Sequence, residues 1–407
     1  MNILFLSENF PPETNAAATR VFERALYWAR WGHKVTVITQ APNFPQGKLF
    51  PGYRNAWHQV EEMQGLRVVR VKTFISPNRG VAGRSFDFLS FFVTATFAGL
   101  REARPDVVCA TSPQFFAAVA GWLIGALRRV PFVFELGDLW PLSISAVGAM
   151  KKGIALSLME KVELFLYRNS AAVAALTHAF KRNLVSRGID ASKVDVVING
   201  VDLSRYAPRP RDAALTAEWG LARKFVVGYV GTHGMAHGLS NVLNAADRLR
   251  DTPNIAFLFV GNGAEREQLI AEARARNLTN VIFAEPQPKE RMPSVWSLCD
   301  VALVHLKDAA AFAEVIPSKI FEAMAMGLPI LLACPAGEAS ALVQGHRAGL
   351  WVPAGDPAAL AAAVTVFATD PDCRAQMAAA ALLAAPEHSR ETQAREMLAV
   401  FEKALAA

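Results

Sequence analysis

The sequence predicts an α/β chain of two Rossmann-like halves, each a doubly wound parallel sheet, facing one another across an interdomain cleft. Three observations lead there. A chain of 407 residues is too long for one ordinary core and suits two domains of roughly 200 residues each. Short β-branched or aromatic runs alternate with longer amphipathic ones from start to finish. Strands separated by helices pair in parallel, with both faces of the sheet covered.

Ile3 to Leu6 reads as the first strand. Ala16 to Trp31 reads as a helix, with Val21, Phe22, Ala25, Leu26 and Ala29 at helical spacing. Gly32 stops it, and Val35 to Thr39 is the next strand. Further strands are expected at Leu66 to Val71, Val107 to Thr111, Pro131 to Glu135, Ala172 to Ala175 and Val194 to Ile198. Residues 1–204 then form an N-terminal domain, the one that the resemblance described below implies binds the acceptor, and the polar stretch 205–222, with Pro208 and Pro210, a linker. Residues 223–385 repeat the pattern, with strands at Phe225 to Val230, Ile255 to Val260, Val281 to Phe283, Val301 to His305, Pro329 to Ala333 and Leu350 to Val352. The C-terminal segment 386–407 holds a helix over Arg390 to Leu405, expected to pack back towards the N-terminal domain.

A hydrophobic content of 52% and a mean hydropathy of +0.22 raise the question of a membrane. No stretch reaches the roughly 18 to 20 apolar residues that span a bilayer. Phe115 to Leu127 is too short and fits a buried helix, whereas Phe86 to Leu100, preceded by Arg79 and Arg84, reads equally as a core helix or one lying on a membrane surface. The start has no basic region ahead of an apolar run, so a cytoplasmic protein is expected. Cys109, Cys299, Cys334 and Cys373 lack metal or redox spacing and read as reduced core residues. The charge is uneven: residues 1–205 hold 24 Lys and Arg against 15 Asp and Glu, and the remainder 18 against 21. A basic first half suits anionic lipid or a lipid-linked diphosphate; no nucleic-acid signature accompanies it.

The most informative stretch is E-V-I-P-S-K-I-F-E, Glu314 to Glu322. Pro317 forbids a continuous helix from Glu314, so a new helix should start at Pro317 or Ser318, with Lys319, Ile320 and Glu322 near its beginning. Free N–H groups at such a start suit an anion, and carboxylates on either side suit hydroxyls. A nucleotide-sugar needs that set. Gly231-Thr232-His233-Gly234-Met235-Ala236-His237 and Gly261-Asn262-Gly263 follow predicted strands and would let backbone amides approach a pyrophosphate, with His233 and His237 as added donors. In the first half no glycine occurs between Met1 and Gly32, which argues against a dinucleotide-binding turn and an NAD enzyme. The loop there offers Asn9 and Asn15, the latter more simply a helix cap. The E-L-G-D-L-W run puts Glu135, Asp138 and Trp140 at a strand's carboxyl end, where an acid and an apolar face suit a sugar; Asp138 as a plain turn residue is the competing reading.

Together, I-N-G-V-D, Y-V-G-T-H-G, F-V-G-N-G and E-V-I-P-S-K-I-F-E-A-M-A-M-G-L-P-I, in this order, resemble glycosyltransferase family 4, retaining enzymes of the GT-B fold. D-L-W-P beside V-I-P-S-K-I-F-E narrows the resemblance towards the WbuB-like transferases of bacterial surface-polysaccharide assembly, some of them N-acetyl-L-fucosamine transferases. The resemblance implies that Glu314 contacts the donor sugar, Glu322 the ribose, and Gly231, Gly234 and the amides from Pro317 to Ile320 the pyrophosphate. It further implies a UDP-sugar donor, no metal or other cofactor, and a polyprenyl-diphosphate-linked acceptor at the inner leaflet of the cytoplasmic membrane. Asp138 stands as the group on the acceptor or sugar hydroxyls. The sequence departs from the family where a basic Arg and Lys pair is usual: His233 and His237 occupy that loop, and Lys319 is the charge that would replace it. A GT-B-fold sugar-nucleotide epimerase and a non-catalytic nucleotide-sugar or lipid scaffold are the alternatives.

Overall fold

The computed structural model describes residues 1–44, 46–75, 81–112, 115–139 and 153–406. The chain divides into two compact units, Met1–Asn199 with Arg390–Ala407, and Gly200–Ser389. Both are α/β, as the alternation predicts, and each is built on its own sheet.

The first unit runs β1 (Asn2–Leu6), α1 (Ala16–Arg30), β2 (Lys34–Gln40), β3 (His58–Met63), β4 (Leu66–Val71), α2 (Val81–Arg101), β5 (Val107–Thr111), α3 (Phe115–Arg128), β6 (Phe132–Leu136), α4 (Ile154–Asn169), β7 (Ala172–Ala175), α5 (His178–Ser186) and β8 (Val194–Val196). Its sheet has the order β3-β4-β2-β1-β5-β6-β7-β8. Only β3 is antiparallel, in register with β4 from His58 opposite Val71 to Met63 opposite Leu66. Sequence reading misses this strand because H-Q-V-E-E-M is polar. At a sheet edge none of its residues has to be buried, and none is. The inner strands β5 and β6 are buried at every position, the signature of a strand covered on both faces.

The second unit runs α6 (Ala213–Glu218), β9 (Phe225–Val230), α7 (Ser240–Arg248), β10 (Ile255–Val260), α8 (Arg266–Ala275), β11 (Val281–Ala284), α9 (Met292–Trp296), β12 (Val301–His305), α10 (Lys319–Ala325), β13 (Ile330–Ala333), α11 (Glu338–Gly345), β14 (Gly349–Val352), α12 (Pro357–Thr369) and α13 (Pro371–Ala384). Its sheet order, β11-β10-β9-β12-β13-β14, reverses direction between β9 and β12. That is the topological switch point of a doubly wound fold, and ligands gather outside the carboxyl ends of the strands there.

The last helix, α14 (Arg390–Ala406), belongs to the first unit. Met397, Val400 and Phe401 join the core that holds Phe5 and Trp28. Trp28 Nε1 donates to the Ala394 carbonyl at 2.9 Å, and the Phe401 ring meets the Trp28 ring edge-on at 5.2 Å. Arg390 at its start is bound by Glu23 at 3.1 Å and by Asn199 Oδ1 at 2.7 Å. Cys109, Cys299 and Cys334 are buried as expected, but Cys373 on α13 is half-exposed and is not a core residue. Among the described residues no helix is long and apolar enough to cross a membrane.

Candidate functional site

At the switch point of the second unit, β9 and β10 each end in a glycine of positive φ, Gly231 at 141° and Gly261 at 145°. At Gly261 space as well as φ demands glycine. A Cβ on Gly261 would overlap the Gly231 carbonyl oxygen, and one on Gly231 would stand 2.9 Å from Lys319 Nζ. The two turns are joined through their backbones: Gly231 N–H donates to Val260 O at 2.9 Å, His233 N–H to Asn262 O at 2.9 Å, and Glu265 N–H to His233 O at 2.9 Å. Thr232 and Asn262 are exposed at the rim, while Gly234 and Gly263 are half-buried.

Lys319 opens α10 and reaches into this corner. It is only 8% exposed, its Nζ has no hydrogen-bond partner, and it lies 3.7 Å from the centroid of the Tyr229 ring. Burial pushes its amine down to about 7, partly countered by Glu322. A buried amine facing an aromatic ring and two glycine turns suits an anion. Glu322, in the first turn of α10, accepts from Trp296 Nε1 at 2.9 Å, which fixes one carboxylate oxygen and orients the other. Glu314 ends a 3-10 turn, Ala310–Glu314, and Pro317 separates that turn from α10, so the two acids sit in different elements on either side of the break. Ser318 makes no side-chain cap.

The two histidines are held differently, and it is His237 that does not act as the sequence reading expected. His233 is fully buried among the rings of Tyr229, Phe259 and Phe283. Burial, then Lys319 and Arg266, hold its pKa down to about 4. It is a neutral packing ring. His237 Nδ1 faces the His305 carbonyl at 3.3 Å, and His305 Nδ1 faces the His237 carbonyl at 2.6 Å. A carbonyl only accepts, so both Nδ1 atoms carry the proton, and His237 Nε2 is left as an acceptor. Burial and Lys319 push His237 down to about 3. A neutral ring in this tautomer offers a phosphate no N–H. Tyr229 and His305, to whose Nε2 the Asn241 Nδ2 stands at 2.9 Å, were not legible as site residues, because they lie in apolar runs that read as core.

In the first unit, Glu135 is buried on β6 and paired with Arg24 at 2.7 Å and Arg20 at 3.2 Å. Burial pushes its carboxyl up, but the two guanidiniums outweigh it and hold it down to about 2. Glu135 is thus committed to an internal ion-pair cluster, which corrects its reading as an acceptor contact. Asn15 caps α1, its Oδ1 accepting from Ala18 N–H at 2.9 Å. Asn9 is buried, and its carbonyl accepts from Ser7 Oγ at 2.7 Å. Asp138 follows β6 half-buried, and Ser112 Oγ, beyond β5, accepts from the N–H of Gly137 at 2.9 Å and of Asp138 at 3.3 Å. Trp140 lies outside the described residues.

The profile described as glycosyl transferases group 1 matches residues 215–383, and that of the glycosyl transferase 4-like domain matches residues 15–200. WcaI of Escherichia coli (strain K12), a glycosyl transferase assigned to colanic acid biosynthesis, is 29% identical over 336 residues, 80% of this chain and 82% of its own. A GDP-mannose-dependent alpha-mannosyltransferase of Mycobacterium tuberculosis (strain CDC 1551 / Oshkosh) is 26% identical over 361 residues, 88% of this chain and 85% of its own. Sucrose-phosphate synthase of Thermosynechococcus elongatus superposes with a TM-score of 0.78 at 19% identity, covering 100% and 99% of the two chains. HepE of Anabaena, solved with UDP and glucose, superposes with a TM-score of 0.74 at 20% identity, covering 98% of each. The chain is a glycosyltransferase of the GT-B fold, with a glycosyl transferase 4-like domain followed by a group 1 domain.

Proposed function

We propose that this glycosyltransferase moves an N-acetylated amino sugar, with retention, from a UDP-sugar to a hydroxyl of a polyprenyl-diphosphate-linked glycan in bacterial surface-polysaccharide synthesis. The observation that carries the donor half is the buried Lys319 Nζ, without a hydrogen-bond partner and set against the Gly231 turn. A diphosphate there meets an amine held in place, which it keeps protonated, and nearby amides, and the same groups offset the charge that develops as it departs. Glu322, held by Trp296, takes the ribose hydroxyls; Glu314 takes hydroxyls of the sugar; Asp138 contacts the acceptor hydroxyl that displaces the diphosphate at the anomeric carbon. No metal is needed in this reading. Uridine is supported by the UDP-bound HepE structure and the polysaccharide setting by the colanic acid relative, while the mannosyltransferase relative makes GDP the nucleotide to test against.

A membrane-bound acceptor is supported by α2. Phe91, Ala95 and Ala98 are buried, whereas Phe86, Leu89, Val93 and Phe97 form an outward stripe, exposed by 63%, 46%, 43% and 61%. One helix therefore packs on the core and still presents an apolar face, and we place the enzyme peripherally on the inner leaflet.

The test is a thermal-shift panel of UDP, GDP and their sugars, followed by turnover with and without a lipid-linked acceptor. UDP compounds should raise the melting temperature, and UDP should appear only when acceptor is added. Stabilisation by GDP compounds alone would overturn the base. Donor isomerisation without acceptor would make the enzyme an epimerase, and binding without turnover a scaffold. Flotation with anionic vesicles should be lost in Phe86→Glu and Phe97→Glu; retention in both would remove the membrane from the reading.

A further inference from the structure

A second group of ligating side chains lies in the same unit and takes no part in the donor reading. His346 follows the last turn of α11, and His388 ends a 3-10 turn, Ala385–His388, yet their Nε2 atoms stand 3.1 Å apart. The exposed Glu387 completes the set, with one ligand atom from each residue within 4.8 Å of the others. The two rings meet at 86°, edge to face, and it is their Nε2 atoms that come together.

We propose that His346, Glu387 and His388 bind one divalent transition ion of the zinc class, with water in the remaining position. Zinc bonds of about 2.0–2.1 Å at tetrahedral angles separate two nitrogen ligands by about 3.3 Å, close to the spacing found here. Two imidazoles and one carboxylate select zinc, cobalt or nickel over magnesium and calcium, which take oxygen ligands. Imidazole ligates in its neutral form.

The position gives the ion a structural task. The His388 carbonyl accepts from Val201 N–H at 2.9 Å, and Ser389, the last residue of this unit, forms a parallel bridge with Val201. The His388 ring also packs on Phe321 at 5.0 Å, next to Glu322 in α10. An ion held here ties the end of α11 to the turn preceding the exit from the unit, and braces the helix that carries Lys319 and Glu322.

Calorimetric titration of the tag-free full chain with zinc chloride tests this. One zinc per chain is expected, with cobalt binding at the same place and giving the visible bands of a tetrahedral site. Affinity should fall at least tenfold in His346→Gln and in Glu387→Gln, and stay unchanged in His178→Ala, an exposed histidine elsewhere. Glu387 is exposed, so its variant keeps the test meaningful if a histidine variant misfolds. Binding that survives both His346→Gln and Glu387→Gln, or no saturable site at all, would show the histidine pair to be an ordinary hydrogen bond.

Discussion

Around Lys319, the Tyr229 ring and the Gly231 backbone stand where water would otherwise solvate an ammonium. The amine drops to about 7, so between that value and the ordinary lysine range the unfolded chain binds more protons than the folded one. Stability therefore rises with pH across this window, and the penalty is complete below about 7. Lys319→Met should raise unfolding free energy at pH 6 by on the order of a few kcal/mol, and by much less at pH 10. Denaturant titrations at both values check it, and equal gains would contradict it. A bound diphosphate restores the charge, so UDP binding should take up close to one proton above pH 7, read from calorimetry in buffers of different ionisation enthalpy. Glu135 presents the opposite case, an acid already matched by Arg20 and Arg24. Glu135→Gln leaves two buried guanidiniums without their counter-ion and should lower stability by about 3–5 kcal/mol, measured by denaturation.

Among the elements, the two turns after β9 and β10 tolerate little change. Gly261→Ala sets a methyl against the Gly231 carbonyl at a positive φ, so it should lower the melting temperature and abolish nucleotide binding together. A variant of normal stability and affinity would show that the turns can part. Most strands were legible, since β4, β5, β7, β9, β10 and β12 begin and end where their apolar runs do. β3 was not, because an edge strand buries little and its composition says so. The site divides along the same line. Charged residues beside breaks, such as Glu314, Lys319 and Glu322, announce themselves through Pro317 and their spacing. Whether a ring is buried or exposed does not, because packing from distant strands decides it. His233 and His237 consequently read as donors although the fold makes one a core ring and spends the other's N–H on His305.

For the molecule as a whole, the first unit is discontinuous and depends on the end of the chain. Phe401→Ala opens the core beside Trp28 and should cost about 3–5 kcal/mol. Removing residues 390–406 also strips Met397 and Val400 from that core and leaves Glu23 without Arg390, so residues 1–199 should become protease-sensitive while 200–389 stays resistant. Equal resistance of both would show the helix to be dispensable. The second unit, by contrast, is one uninterrupted stretch whose two ends, Val201 and Ser389, pair side by side. It is an insert with adjoining cut points, so a single recombination event can graft another enzyme's version of it into this one without severing any strand of the host sheet.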